Sequence, residues 1–264
     1  MKKWANRGPL PALSYKRLTA AYFILALLAL WELACRAFDI PEFMLPAPSK
    51  IAKALAGNFP LLLRHTTSTI YAVAAGLALA ILVAVILALV MDCWPLVKKM
   101  LYPPLVISQA VPIFALAPVI LVWLGVDLKP KIAVVALVCF FPLAINLVES
   151  LNQVNPEALE LMQVMQASPW FTFRSVQLPS VMPYFFSGLK ISATYSVMGA
   201  IIGEWLGGNI GLGVYMTRAR YSSKTSHLFA AIFIVVILSL ALFKLSELLA
   251  WITMPWNRAN QTKE

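Results

Sequence analysis

The stretch TTSTIYAVAAGLALAILVAVILALV, Thr66 to Val90, carries no charged residue in 25 positions. An α-helix rises about 1.5 Å per residue, so about 20 apolar residues cross a hydrocarbon core about 30 Å thick. This run is long enough to do so alone. Outward from it, similar runs extend over Leu18–Ala37, Met100–Leu124, Ile132–Glu149, Pro183–Leu206 and Leu228–Ile252. The pattern predicts an all-α polytopic membrane protein with about six transmembrane helices. Composition agrees: 61% of the 264 residues are hydrophobic and 12% charged, against about 25% charged in soluble domains. With a mean hydropathy of +0.81, a soluble enzyme and a disordered chain are both excluded. The run Met100–Leu124 differs from the others in holding Pro103, Pro104, Pro112 and Pro118, each of which lacks a backbone donor and disturbs a helix. Leu18–Ala37 is too long for a signal-peptide core and is expected to be retained.

Net charge is +10, from 21 Lys and Arg against 11 Asp and Glu. The basic residues are scattered between apolar runs and form no aromatic-interleaved face, which argues against nucleic acid. Their partner is expected to be the headgroup layer of the lipid bilayer. With the N-terminus inside, ten Lys and Arg fall on inner segments and eight on outer ones. That weak bias, carried mostly by Lys2, Lys3, Arg7, Lys16 and Arg17, predicts a cytoplasmic N-terminus. Cys35, Cys93 and Cys139 are far apart and read as small packing residues. His65 and His227 sit at expected outer helix ends and read as interfacial. No metal-ligand spacing, nucleophile elbow or phosphate-cradling loop occurs, so no metal, cofactor or catalytic residue is expected. Between the first two spans, Leu45-Pro46-Ala47-Pro48-Ser49 reads as an extra-membrane segment whose short helix starts at Ser49.

About thirty residues separate Glu149 from Pro183, far more than a connector needs. This segment has its own punctuation. Asn155-Pro156 sets an N-cap side chain before a proline at the first helical position, and Ser168-Pro169 repeats the device. The second short helix carries Trp170, Phe171, Phe173 and Val176, and Leu178-Pro179 is expected to end it. Two short helices with aromatic faces form either a docking surface for a partner or an interfacial layer on the bilayer.

The run Glu160-Leu161-Met162-Gln163-Val164-Met165-Gln166-Ala167-Ser168-Pro169-Trp170, continuing through Phe173-Arg174 to Leu178-Pro179, resembles the "EAA" loop of ABC importer permeases. Six positions separate Glu160 from Gln166, and Leu178-Pro179 falls where that pattern ends. Three residues depart from it. Leu161-Met162 replace an alanine pair, Gln177 precedes Leu178 where an apolar residue is usual, and Gln166 stands where glycine would permit a positive-φ turn. Phe43–Ser49, Pro112–Pro118 with Trp123-Leu124-Gly125, Ser187–Ile191, Gly203–Gly207 and Gly211-Leu212-Gly213 are similar to the nitrate/sulfonate/taurine branch. The Gly203–Gly207 run and Tyr215–Arg218 look closest to permeases for thiamine-pyrimidine precursors.

The resemblance implies a type I ABC importer permease fold, formed by one permease domain over 18–254 between cytoplasmic tails at 1–17 and 255–264. It implies a homodimer with a second permease copy, a dimer of ABC ATPase subunits, an extracytoplasmic substrate-binding protein and a bacterial inner-membrane location. The loop at about 152–180 would be cytoplasmic, with Glu160, Gln166, Ala167, Trp170, Arg174, Leu178 and Pro179 at the contact with the ATPase. In the fifth span, Gly199, Gly203 and Gly207 recur every four residues and read either as a smooth packing face or as a pathway surface. Glu204 on the same span is expected at the pathway or gate, or in structural pairing. Pro112 and Pro118 either line the cavity or kink the third span. Lys244 and Glu247, three apart, are expected to pair. An ion-coupled secondary transporter is the alternative from outside this class, although no inverted repeat is evident.

Overall fold

The computed structural model describes residues 12–257. The expected tails, 1–17 and 255–264, lie largely outside the described residues, as do the side chains of Lys16 and Arg17. The described chain is helical throughout, with no strand among those residues.

The first helix, α1 (Ala12–Ala37), covers the first expected span, and a short α2 (Pro48–Gly57) follows. Ser49 does not cap α2 as expected. Ala47 is the N-cap, and the Ser49 N–H and hydroxyl both donate to Glu32 of α1, at 3.0 and 2.8 Å. A carboxylate from the preceding span therefore takes up the free donors of the α2 N-terminus.

The long α3 (Phe59–Cys93) contains the run that opened the sequence reading. It stops at Trp94, which is extended because Pro95 follows it. The expected third span is two helices, α4 (Pro95–Ser108) and α5 (Ile113–Leu124), bent by 105° at the break before Pro112. Then come α6 (Leu128–Asn152), α7 (Pro156–Val164), α8 (Pro169–Thr172), α9 (Leu178–Gly207), α10 (Leu212–Tyr221) and α11 (Thr225–Thr253). Among the described residues, α3, α6, α9 with its α8 extension, and α11 are each long and apolar enough to cross a membrane; the bent α4–α5 pair is either a broken span or a re-entrant loop, which gives four to five such segments rather than the six expected.

The core forms around α6, where Val135, Cys139, Leu143 and Ala144 are fully buried. On α3, Ala72, Gly76, Ala80, Ala84 and Ala88 recur every four residues and are all buried, a small-residue stripe that brings backbones close. A Cβ at Gly76 would stand 2.5 Å from Val135 Cβ, and one at Gly199 of α9 only 3.2 Å from Val135 Cα. Between α6 and α9, Ser192 donates to Cys139 O at 2.9 Å and Cys139 Sγ donates to Ser192 O at 3.2 Å. This pairing satisfies two polar groups where water is absent. Cys35 and Cys139 are buried as expected, but Cys93, at the end of α3, is exposed. Along α1 and α11, by contrast, large apolar side chains such as Phe23, Leu33, Leu240 and Leu248 are at least half exposed, as lipid-facing surface requires.

Candidate functional site

The loop between α6 and α9 folds as its punctuation predicts at two of three points. Asn155 Oδ1 accepts from Glu157 N–H at 2.9 Å, and Ser168 Oγ accepts from Phe171 N–H at 3.3 Å. Between the two helices, Gln166 takes φ +54°. There Gln166 N–H donates to Gln163 O and Ala167 N–H to Met162 O, both at 2.9 Å. These bonds close the C-terminus of α7 in the arrangement that usually places glycine at this position. Gln166 therefore makes the glycine's turn with a side chain attached.

The third point differs. Leu178-Pro179 does not end the second helix, because α8 runs through one π-turn, Phe173–Gln177, directly into α9. Pro179 has no N–H and its ring crowds the carbonyl four residues earlier. The ladder widens instead, with Leu178 N–H donating to Phe173 O. The second short helix and the fifth span are thus one mechanical unit, Pro169–Gly207.

On the free side of this loop, Glu160, Gln166, Trp170 and Arg174 are exposed, Leu178 is 39% exposed, and Ala167 and Pro179 are half-buried. Trp170, 68% exposed, stacks on Phe173 with ring centroids 5.8 Å apart. With Leu161, Val164, Met165 and Phe171 it makes an exposed apolar surface. The inner side is anchored, since Val154 is buried and Leu159 and Val176 pack on the main core.

At the other end of α9, about 39 Å away at about 1.5 Å per residue, lies a buried polar cluster. Glu204 is 1% exposed and accepts from Thr69 Oγ1 at 2.8 Å and from Gly213 N–H at 2.7 Å. Thr69 Oγ1 also accepts from Leu212 N–H at 2.9 Å. The turn between α9 and α10 is held from every side. Arg218 donates to Asn209 O, Lys131 and Ser68 donate to Ile210 O, and His65 Nδ1 lies 3.0 Å from Gly211 N and 2.8 Å from Gly211 O. His65 is therefore not interfacial as expected: it is 4% exposed and bound to the turn. His227 is half-buried, with Nδ1 3.0 Å from the Tyr215 hydroxyl.

The residues expected at a pathway do not converge. Gly199 and Gly203 face α6, where a Cβ on Gly203 would stand 3.0 Å from Lys131 Cα, and Gly207 abuts Leu121 of α5. Glu204 points into the protein. Pro112 borders a crevice of about 290 Å³ with Gln109, Phe141 and Tyr195, while Pro118 lies exposed on α5. The face of α9 left open is a different one: Tyr184, Ile191, Tyr195, Met198 and Trp205, each between 42% and 48% exposed. Sequence reading passed over this stripe, and over His65, Thr69 and Lys131 as partners of the α9–α10 turn. A lysine counted among the outer charges gave no sign of being buried; the 3- and 4-residue spacing of the Tyr and Met side chains was the usable signal for the stripe.

Residues 76–252 match the family described as binding-protein-dependent transport system inner membrane component. The chain is 35% identical over 246 residues to the formylaminopyrimidine transport permease protein ThiX of Halalkalibacterium halodurans, covering 93% of this chain and 98% of that protein. It is 32% identical over 237 residues to the riboflavin transport system permease protein RibX of Chloroflexus aurantiacus, covering 88% of each. In fold it is similar to a chain of the inward-facing MetNI methionine ABC transporter, with a TM-score of 0.63 and 17% identity over 73% of this chain and 95% of that one. The helical bundle, its loop and these relatives agree: the chain belongs to the family of binding-protein-dependent transport system inner membrane components and is a multi-pass, non-catalytic permease subunit of an ABC importer.

Proposed function

We propose that this permease imports a hydroxymethylpyrimidine-type thiamine precursor, as half of a homodimer driven by a pair of ATPase subunits and fed by an external binding protein. The observation that carries the substrate class is the 35% identity to ThiX along nearly the whole length of both chains. Sulfonate, taurine or nitrate is the alternative cargo. Labelled hydroxymethylpyrimidine and formylaminopyrimidine, offered to cells expressing the full transporter, test the choice. Uptake that excess taurine and nitrate do not compete supports the pyrimidine; uptake of taurine or nitrate alone overturns it.

The ATPase is proposed to dock on the exposed surface of α7 and α8, with Trp170 as the apolar anchor, Glu160 and Arg174 as polar contacts, and Gln166 and Ala167 setting the angle between the helices. Leu178 and Pro179 transmit the movement, because α8 and α9 are continuous. Nucleotide-driven closure of the ATPase pair would then shift the population of α9 orientations. The open stripe from Tyr184 to Trp205 is the proposed pathway wall. Behind it Gly199, Gly203 and Gly207 allow close packing, Glu204 fixes the far end, and Pro112 and Pro118 shape the broken helix alongside. With the loop in the cytoplasm, the N-terminus and both tails are cytoplasmic and 18–254 forms one membrane domain.

A further inference from the structure

A cavity lies between α9 and α11, away from the proposed stripe and from the cluster around Glu204. It measures about 610 Å³ and is lined by Lys190 and Ser187 of α9 and by Lys244, Glu247, Leu248 and Trp251 of α11. Lys190 stands about 18 Å along α9 from Leu178, and Lys244 about 14 Å along α11 from Thr253, at about 1.5 Å per residue. Both therefore lie well inside helices long and apolar enough to cross a membrane, where a charged side chain needs a counter-charge or water.

The charges inside the crevice do not balance. Lys244 Nζ donates to Glu247 Oε2 at 2.6 Å, which uses the one carboxylate that the described residues place there. Lys190 lines the same crevice and is half-buried, with no hydrogen bond or close ion pair of its ammonium among the described residues. Two ammonium groups against one carboxylate leave a net positive crevice with an apolar wall of Leu248 and Trp251. Large apolar side chains are exposed along α11, so an amphiphilic anion can reach the crevice from the side.

We propose that the α9–α11 crevice is an anion site in which Lys190 and Lys244 hold a phosphate group, carried by a lipid headgroup or by a soluble organic phosphate. A phosphate oxygen gives Lys190 an acceptor that no described residue supplies and competes with Glu247 for Lys244. The site is independent of the cargo assigned above.

The test uses the full chain in detergent, with binding followed by thermal shift. The probes are dioctanoyl phosphatidylglycerol, zwitterionic dioctanoyl phosphatidylcholine and glycerol 3-phosphate. The expected result is stabilisation by phosphatidylglycerol over phosphatidylcholine, weakened at least about fivefold by Lys190→Gln and tightened by Glu247→Gln, which frees Lys244. Stabilisation by the acylated probe alone assigns the site to lipid; equal stabilisation by glycerol 3-phosphate assigns it to a soluble phosphate. Absence of any preference for the anionic probes, or a preference unchanged in both Lys190→Gln and Glu247→Gln, overturns the proposal. Glu247→Gln predicts a gain, so a loss of folding in Lys190→Gln cannot imitate the expected outcome.

Discussion

Replacing Gly211 with alanine strikes the far end of the bundle at its most constrained point. Gly211 has φ +146° and ψ 162°, a region essentially reserved for glycine, where a side chain costs about 1–3 kcal/mol. A Cβ there would also overlap the Glu204 carboxylate. To make room Glu204 must withdraw from Thr69 or from Gly213, and each bond to a carboxylate contributes about 1.5–3 kcal/mol. Strain and the loss of one such bond together give about 2.5–6 kcal/mol. At about 2–4 °C per kcal/mol for a chain of this size, the melting midpoint falls by on the order of 10 °C. The assay is thermal unfolding of the full chain in detergent, with Gly57→Ala as control, since a Cβ at Gly57 meets nothing within 4 Å. Glu204→Ala supplies a further check: it removes the collision, so the double variant should be less destabilised than the sum of the two singles by about 1 kcal/mol or more. A Gly211→Ala protein that melts with the Gly57→Ala control, or strict additivity in the double variant, refutes the reasoning.

Three other outcomes follow from the same geometry. Gln166→Gly relieves a positive-φ strain of about 1–2 kcal/mol, partly offset by the greater freedom of glycine in the unfolded chain, so the melting midpoint should rise slightly while ATPase binding persists. Trp170→Ala, at an exposed aromatic stacked on Phe173 of its own loop, should leave the melting midpoint unchanged and weaken ATPase binding by about 30-fold, as loss of about 2 kcal/mol at an interface anchor would; equilibrium binding measures it. The Lys50 ammonium, 2.9 Å from Glu42, holds that carboxyl below its usual range. The folded value is the lower one, so the stabilisation is complete above the ordinary carboxylate value and is lost as pH falls through the folded one. Glu42→Gln should therefore melt slightly below the parent at pH 7 and match it in strong acid, by a small margin because the pair is exposed.

Membrane class, the main spans and both caps of the loop were legible because each rests on local chemistry: apolar length for Thr66–Val90, and a side-chain acceptor before proline for Asn155 and Ser168. What escaped was set by tertiary placement. Ser49 looks like a cap until Glu32, 17 residues earlier, takes its donors. Lys131 reads as a loop charge and His65 as interfacial, yet both are drawn inward by backbone groups of a turn far along the chain, at Ile210 and Gly211. The glycines of α9 were visible as a stripe, but spacing alone could not tell which neighbour the stripe faces. Pro179 does not end the second helix as its chemistry suggests, since a π-turn lets the helix continue.

The central claim is that the surface of α7 and α8 joins this permease to its energy source. Its most direct test is co-purification of the cognate ATPase subunit with the full permease and with a Glu160→Lys, Trp170→Ala variant, whose changes lie on exposed positions. The account predicts stoichiometric ATPase with the parent chain and loss of it from a variant that still melts like the parent. ATPase retained in full by that variant would contradict it.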